Sequence, residues 1–212
     1  MMKFAPEGYP FIAAFAALST LVFWFGGAGA AVIPLVLTAF MLYFFRDPER
    51  VVPERRDLFV SPADGKIIMI KDVHETEYLM SDMKQISIFM SPFNVHVNRV
   101  PTDGKVKIVK HKKGRFFAAY KDEASTQNEH IDMVLETRYG DVLVRQVAGF
   151  VARRAVCRVK EGDIVQRGER YGIIKFSSRL DIYLPKETAI KVRTGELVKA
   201  GETVLGEIAA KG

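Results

Sequence analysis

Residues 8–45 decide the architecture of this chain; they read GYPFIAAFAALSTLVFWFGGAGAAVIPLVLTAFMLYFF and contain no Asp, Glu, Lys or Arg. The run is longer than the apolar core of a secretory signal, and the small residues at 26–30 divide it into two arms, 9–25 and 31–45. A complete bilayer span needs about 20 apolar residues, so each arm is slightly short. We predict a helical hairpin that anchors the chain in a membrane; the alternatives are one long tilted span and a hairpin buried in an oligomer.

The charges after the apolar run indicate where the rest of the chain lies. Arginines at 46, 50, 55 and 56 follow it directly, and basic residues beside a span favour the cytoplasmic side of a cell membrane. The 31 basic and 25 acidic residues give a net charge of +6, which suits an anionic lipid surface. The sequence has no helix-turn-helix, zinc-finger spacing or aromatic–basic platform, so we expect no nucleic acid partner. Cys157 is the only cysteine, which excludes an internal disulfide.

The remainder of the chain is polar and strand-like. Short runs such as residues 85–90, 106–109 and 141–144 alternate apolar and polar side chains and are rich in β-branched residues, a pattern typical of half-buried strands. We therefore predict a mainly β fold, with a membrane hairpin over residues 1–45 and a single β-rich catalytic domain over residues 46–212.

Two short sequence motifs of this domain each occur twice, and we call these pairs sequence echoes. Residues 62–67 (PADGKI) return at 101–106 (PTDGKV), and residues 159–169 (VKEGDIVQRGE) return at 192–202 (VRTGELVKAGE). The Asp-Gly and Gly-Asp pairs supply turns, and the rhythm predicts repeats like those of lipoyl and biotinyl carrier barrels. A lysine in the context of a lipoate or biotin acceptor is missing, which argues against a carrier role.

Three side chains are candidates for chemistry, and each has a plain structural alternative. Two serines at Ser177-Ser178 are usually a turn, and so is an aspartate in Pro-x-Asp-Gly, where Asp64 lies. His96 stands between two valines, as many core histidines do. The spacing does not show that Asp64, His96 and Ser178 meet. The histidines and the cysteine have no metal-ligand spacing, so we expect no metal.

Several motifs together resemble a known family. They are EGYPF at 7–11, RDP at 46–48, SPADG at 61–65, the segment around His96, Ala124-Ser125 with Asn128-Glu129, QVAG at 146–149 with Arg153-Arg154, and SRLD at 178–181. With the apolar hairpin, they make the chain similar over essentially its whole length to the short-form phosphatidylserine decarboxylase proenzymes, a family that includes archaetidylserine decarboxylases.

That resemblance implies a self-processing enzyme. Ser178 would attack the preceding carbonyl, and the cleaved chain would form a heterodimer of a large subunit, residues 1–177, and a small subunit, residues 178–212, with a possible higher homo-oligomer. The cofactor would be a pyruvoyl group made from Ser178, without metal or pyridoxal phosphate. It would form a Schiff base with the serine headgroup of phosphatidylserine or archaetidylserine, so that CO2 leaves and the ethanolamine phospholipid remains. His96 would be the base and proton donor, oriented by Asp64.

The chain departs from the family pattern at two places. Longer relatives carry a second histidine three residues after the first, where this chain has Arg99. The family normally has glycine before the cleaved bond, where this chain has Ser177. Glycine tolerates backbone geometries that cost other residues about 1–3 kcal/mol, so an inactive, precursor-locked form is one alternative to the active enzyme. A membrane-anchored, lipoyl-like adaptor without catalysis is another.

The substrate would be an anionic phospholipid in the membrane. Arg115 with Phe116, the pair Arg153 and Arg154, and Asn128 are the candidates for binding it. Aromatic rings can dip into a lipid surface while an arginine meets phosphate. A run of charges is more often a solvated face, and that alternative stays open for these arginines.

Overall fold

A computed structural model describes residues 3–55, 57–114, 128–149, 155–175 and 178–208. The chain divides into two compact units, of which the first ends at Glu49 and the second begins at Arg50. The predicted division, between residues 45 and 46, lies four residues earlier.

The first unit contains the hairpin. Its elements are β1 (Lys3–Phe4), a 3-10 turn (Pro6–Gly8), the long helix α1 (Tyr9–Phe44) and β2 (Arg46–Asp47). Gly27 interrupts α1 with φ 77° and ψ 179°, a conformation open to glycine because it has no Cβ. Beyond the break the chain turns back, and the hydroxyls of Ser19 and Thr38 from the two arms lie 3.1 Å apart. The prediction of a hairpin is confirmed.

The two ends of the hairpin are tied together. Ala5 N–H donates to the carbonyl of Phe45 at 2.8 Å, and β1 pairs with β2 so that Lys3 lies opposite Asp47. Large apolar side chains near the turn are exposed, Trp24 and Phe25 by 80% and 84%. By length and composition, the described chain has one helix that could cross a membrane.

The second unit is built of strands, which confirms the mainly β fold class. In chain order they are β3 (Leu58–Val60), β4 (Gly65–Glu75), β5 (Ser81–Met90), β6 (Val97–Arg99), β7 (Gly104–Lys112), β8 (His130–Thr137), β9 (Gly140–Ala148), β10 (Ala155–Cys157), β11 (Ile164–Val165), β12 (Arg170–Ile174), β13 (Ser178–Pro185), β14 (Ala189–Ile190), β15 (Leu197–Val198) and β16 (Val204–Glu207). An antiparallel sheet has the order β11-β7-β8-β9-β13-β5-β4-β15, and two three-stranded sheets have the orders β10-β12-β6 and β14-β16-β3.

These strands form two similar halves, and the sequence echoes mark their equivalent positions. β4 pairs with β15 as β7 pairs with β11. The β4–β5 ladder shifts register between Ile67 and Met69, and the β7–β8 ladder shifts between Val106 and Ile108, 39 residues later. The two three-stranded sheets are equivalent in the same way, with β10-β12-β6 in one half and β14-β16-β3 in the other. The echoes therefore reflect a structural repeat, while the likeness to a lipoyl carrier barrel stays a prediction.

The two halves differ where one strand pair is left open. In one half, β8 and β9 form a tight hairpin in which Thr137 lies opposite Gly140. In the other half, the equivalent strands are β5 and β13, and Met90 lies opposite Ser178. Here the chain does not turn; strands β6 to β12 intervene. The chain therefore leaves β5 and enters β13 at the same end of the sheet.

Candidate functional site

Ser178 begins the central strand β13 at this open end. Its backbone lies between two neighbours, opposite Met90 on β5 and Ala148 on β9. The side chain is fully buried, and its hydroxyl donates to the sulfur of Met90 at 3.5 Å. Ser177, the other residue of the predicted cleavage site, lies outside the described residues.

His96 lies on the segment that leaves the same end of the sheet. Its ring is buried, and Nδ1 lies 2.9 Å from the carbonyl oxygen of Asn94. Because a carbonyl only accepts, Nδ1 carries the proton in this contact, and in the neutral form of the ring the lone pair lies on Nε2. The backbone carbonyl of His96 accepts from Ile174 N–H at 3.4 Å, four residues before Ser178. His96 therefore lies beside the end of β12, four residues before Ser178.

Asp64 is held in a buried ion pair close to the start of β4. One carboxylate oxygen accepts from Ala200 N–H and the other from the guanidinium of Arg50, both at 2.7 Å. The loop of Asp64 joins the β6 strand through the N–H of Arg99, which donates to the carbonyl of Pro62 at 2.9 Å. That Asp64 orients the His96 ring stays a prediction.

Two further residues singled out in the sequence have clear contacts. Arg99, at the place of the second histidine of longer relatives, is buried, and its guanidinium donates to the carbonyl of Gly168 at 2.8 Å. Asn128 is also buried, and its side-chain amide donates to the carbonyl of Ala148 at 2.9 Å. Because Ala148 lies opposite Ser178, Asn128 is close to the open end. The candidates Arg115, Phe116, Arg153 and Arg154 lie outside the described residues.

A buried pair of amides was missed by the sequence analysis. Gln146 donates from Nε2 to Oδ1 of Asn98 at 2.8 Å, and Asn98 Nδ2 lies 3.8 Å from the Met90 sulfur that also accepts from Ser178. The repeat offered a signal for this pair. Residue 98 is equivalent to residue 59 at the same 39-residue offset, and Phe59 is a core residue, so Asn98 could have been expected to be buried. An amide replaces an apolar ring at this position of the repeat.

The opposite face of the sheet carries buried charges near the same end. Arg145 Nε donates to Asp132 at 2.6 Å, and Arg179 Nε donates to Asp181 at 2.6 Å and from its NH2 group to Ser87 at 2.8 Å. Burial alone would raise the pKa of Asp132, but the neighbouring His130 and Arg145 side chains hold the pKa of that carboxyl below its usual value. Across the described residues, no three His, Cys, Asp or Glu side chains come together as metal ligands.

The other half of the repeat holds apolar side chains at two of these charged positions. Gly140 of β9 is equivalent to Ser178 of β13, so Arg145 corresponds to Tyr183, and Asp181 corresponds to Leu143. Tyr183 and Leu143 belong to one buried apolar cluster. The charges of Arg145 and Asp181 are therefore not a general feature of the repeat.

Comparisons with known proteins show the family to which this chain belongs. The family model described as phosphatidylserine decarboxylase matches residues 37–206. A phosphatidylserine decarboxylase proenzyme of Syntrophus aciditrophicus is 50% identical over 204 residues, which cover 95% of this chain and 96% of that protein. Proteins of the same name from Geobacter metallireducens and Desulfotalea psychrophila are 46% and 47% identical, each over 95% or more of both chains. The chain belongs to the phosphatidylserine decarboxylase family.

Proposed function

We propose that this protein is a self-processing, pyruvoyl-dependent decarboxylase that converts phosphatidylserine to the ethanolamine phospholipid and CO2. One observation carries the proposal: Ser178 is buried at the start of a central strand, at the end of the sheet where the His96 segment also leaves. The name that the relatives share, phosphatidylserine decarboxylase proenzyme, supports the substrate.

Self-cleavage begins with the hydroxyl of Ser178. A serine hydroxyl is a weak nucleophile at neutral pH and needs a base; the lone pair on His96 Nε2 is the group we assign to take the proton. The oxygen bonds to the carbonyl carbon of residue 177, and the C–N bond breaks, which leaves an ester and a free amine on residue 178. Asp64 supports the base in this proposal, as the third member of other catalytic triads does.

The chain then breaks by elimination. Residue 178 loses its Cα proton, its Cβ–O bond breaks, and the carboxylate of residue 177 departs as the end of the large subunit. Water replaces the amine nitrogen and ammonia leaves, so that residue 178 ends as a pyruvoyl group. No outside oxidant or reductant is needed, because the elimination and hydrolysis account for every atom and electron.

The surroundings of Ser178 fit the group that would form there. The pyruvoyl group keeps the Cα and Cβ atoms of the serine, so it would lie where Ser178 lies, between the strand neighbours Met90 and Ala148. The Met90 sulfur is a weak acceptor and leaves that group unobstructed by a strong hydrogen bond. When formed, the group supplies a carbonyl that accepts the electron pair released as CO2 leaves. His96 is the residue that we assign to return a proton to the substrate.

The hairpin suits a membrane substrate. An enzyme with a diacyl or ether phospholipid as substrate gains from an anchor in the lipid, and the arginines at 46, 50 and 55 favour a cytoplasmic catalytic domain. Arg115 with Phe116, Arg153 with Arg154, and Asn128 remain our candidates for the headgroup. If Arg115 binds lipid, Arg115→Ala lowers turnover of lipid more than self-cleavage; an equal loss of both would remove it from the proposal.

Ser177 supports a second candidate, the precursor-locked form. Its side chain restricts the backbone before the cleaved bond, where the family normally has glycine. In that form the chain stays whole, and Ser177→Gly releases cleavage.

Intact mass and carbonyl trapping test both candidates. We expect the purified protein to give two fragments that meet at residues 177 and 178, and borohydride to reduce a carbonyl on the small fragment. Ser178→Ala should give one species near 23.8 kDa. Incubation with phosphatidylserine vesicles should release CO2 only from the cleaved protein. One uncleaved species from both the wild type and Ser177→Gly would overturn the proposal and leave a membrane-anchored adaptor.

A further inference from the structure

We propose that Asn98 donates a hydrogen bond to the carbonyl oxygen of residue 177 during self-cleavage, and that Gln146 positions the Asn98 amide for that task. The inference rests on the proposed self-processing. It adds a group that stabilises charge in the first step, in which the hydroxyl of Ser178 attacks and the carbonyl oxygen becomes an oxyanion.

The geometry aims an amide N–H at the reacting end of β13. Asn98 and Ser178 both contact the sulfur of Met90, at 3.8 Å and 3.5 Å. A thioether is a weak acceptor, so the Nδ2 group keeps most of its donor capacity. Gln146 occupies Oδ1 of Asn98 at 2.8 Å, which fixes the carboxamide with its nitrogen toward the sulfur of Met90, the atom that the Ser178 hydroxyl also contacts.

The two halves of the domain show that packing does not explain the amides. Asn98 is equivalent to Phe59, because Gly172 pairs with Asn98 as Gly206 pairs with Phe59 at matching bulges. Gln146 of β9 is equivalent to Leu184 of β13, counted from Gly140 and Ser178. Phe59 and Leu184 are fully buried members of the main apolar core. The same fold therefore accepts apolar side chains at both positions.

The amides lower stability where they stand. Asn98 and Gln146 are buried, and within the described chain the Oε1 atom of Gln146 has no hydrogen-bond partner. A buried polar group without a partner is destabilising by about 1–3 kcal/mol. A destabilising pair beside Ser178 is what a pre-organised oxyanion donor requires.

The chemistry at this point needs such a donor. When Oγ of Ser178 bonds to the carbonyl carbon of residue 177, the carbonyl π electrons move to oxygen, and the tetrahedral centre carries a negative charge until the C–N bond breaks. The loss of one pre-organised donor in this role slows a reaction by about 100-fold to 1,000-fold.

The test follows self-cleavage by intact mass in Asn98→Leu, Asn98→Asp and Gln146→Leu. If the wild type is slow, all variants are made with Ser177→Gly. Both Asn98 variants lack the donor, and we expect each to cleave about 100-fold more slowly. Gln146→Leu keeps the donor but frees its orientation, and we expect about a 10-fold loss, since misplacement alone is that costly. Phe59→Leu, a core change in the other half, is the matched control and should cleave at the parent rate.

Hydroxylamine identifies the step. It cleaves the ester but not the amide, so it should fail to speed the Asn98 variants if the first step is blocked. Rapid cleavage by hydroxylamine would place the defect after the ester and overturn the inference. Wild-type rates in Asn98→Leu and Asn98→Asp would also overturn it, as would a slowing no larger than that of Phe59→Leu at matched melting temperature. Absence of cleavage in the parent refutes the self-processing proposal instead.

Discussion

Asp64 and Asp103 lie at equivalent turns of the two halves of the β domain and make the same hydrogen bond. Asp64 accepts from Ala200 N–H at 2.7 Å, and Asp103 accepts from Arg167 N–H at 2.8 Å. The matching bond shows that an aspartate at this turn has a structural task in both halves. Asp64 differs in being buried and in also pairing with Arg50.

This pair separates the structural task of Asp64 from its proposed catalytic one. Asp103→Asn keeps an oxygen that can accept from Arg167 N–H, so it should change the free energy of unfolding by less than about 1 kcal/mol and leave self-cleavage unchanged. Asp64→Asn should be destabilising by about 3 kcal/mol, because it deprives the buried Arg50 of its carboxylate, and should also slow cleavage. Chemical denaturation and intact mass measure the two effects. If folded Asp64→Asn cleaves at the wild-type rate, Asp64 does not support the base.

His96 and His130 form a second matched pair. Both are buried, and each directs Nδ1 to a backbone carbonyl two residues earlier, at 2.9 Å and 2.6 Å. His96→Gln should slow self-cleavage by about 100-fold or more, since a general base is lost. His130→Gln should alter stability but leave the time course of cleavage within a few-fold of wild type. Equal rates for the two variants would remove His96 from its assigned role.

The small subunit should remain bound after cleavage. β13 lies between β5 and β9, β15 pairs with β4, and β16 pairs with β3, so residues 178–208 hold backbone hydrogen bonds to three parts of the large subunit. The fragments should co-elute in size-exclusion chromatography and separate only in denaturant. Separation under native conditions would contradict the strand order.

The buried pair of Asp132 and Arg145 predicts a pH dependence of stability. The folded-state pKa of Asp132 lies below the usual value of 3.8, so folding favours its charged form. Its contribution is therefore complete above that value and is lost as the pH falls below it. Asp132→Asn should be destabilising by about 3 kcal/mol at neutral pH. The difference from wild type should stay constant down to about pH 4 and shrink as the pH is lowered from about 4 to about 2. A difference that stays constant over this range would contradict the ion pair.

The hairpin predicts that both of its ends lie on one side of the membrane. Lys3 forms an ion pair with Glu49 at 2.7 Å, on either side of the apolar arms. In right-side-out and inverted vesicles, cysteines introduced by Lys3→Cys and Glu49→Cys in a Cys157→Ser background should react with an impermeant maleimide from the same side. Labelling from opposite sides would support the single tilted span.

Much of the fold could be predicted from local patterns. The uncharged run with its cluster of glycines predicted the hairpin, since Gly27 is where the helix breaks, and alternation predicted strands such as β5 and β9. The echoes predicted repeated turns. The amides at Asn98 and Gln146 were not recognised, because a polar residue in an alternating strand is normally assigned to the solvent face.

Local patterns in the sequence were enough to predict an apolar hairpin, the β class of the domain, its repeat, and three candidates for chemistry, because each depends on neighbours in the chain. Only the tertiary structure decided which groups surround Ser178. Met90, Ala148 and Ile174 reach that end through strand order, and antiparallel pairing joins residues whose separation along the chain carries no signal of contact. In one half, a tight turn joins β8 and β9; in the other, no turn joins the equivalent strands β5 and β13. The His96 segment and Ser178 share one end of the sheet because the chain leaves β5 and enters β13 there.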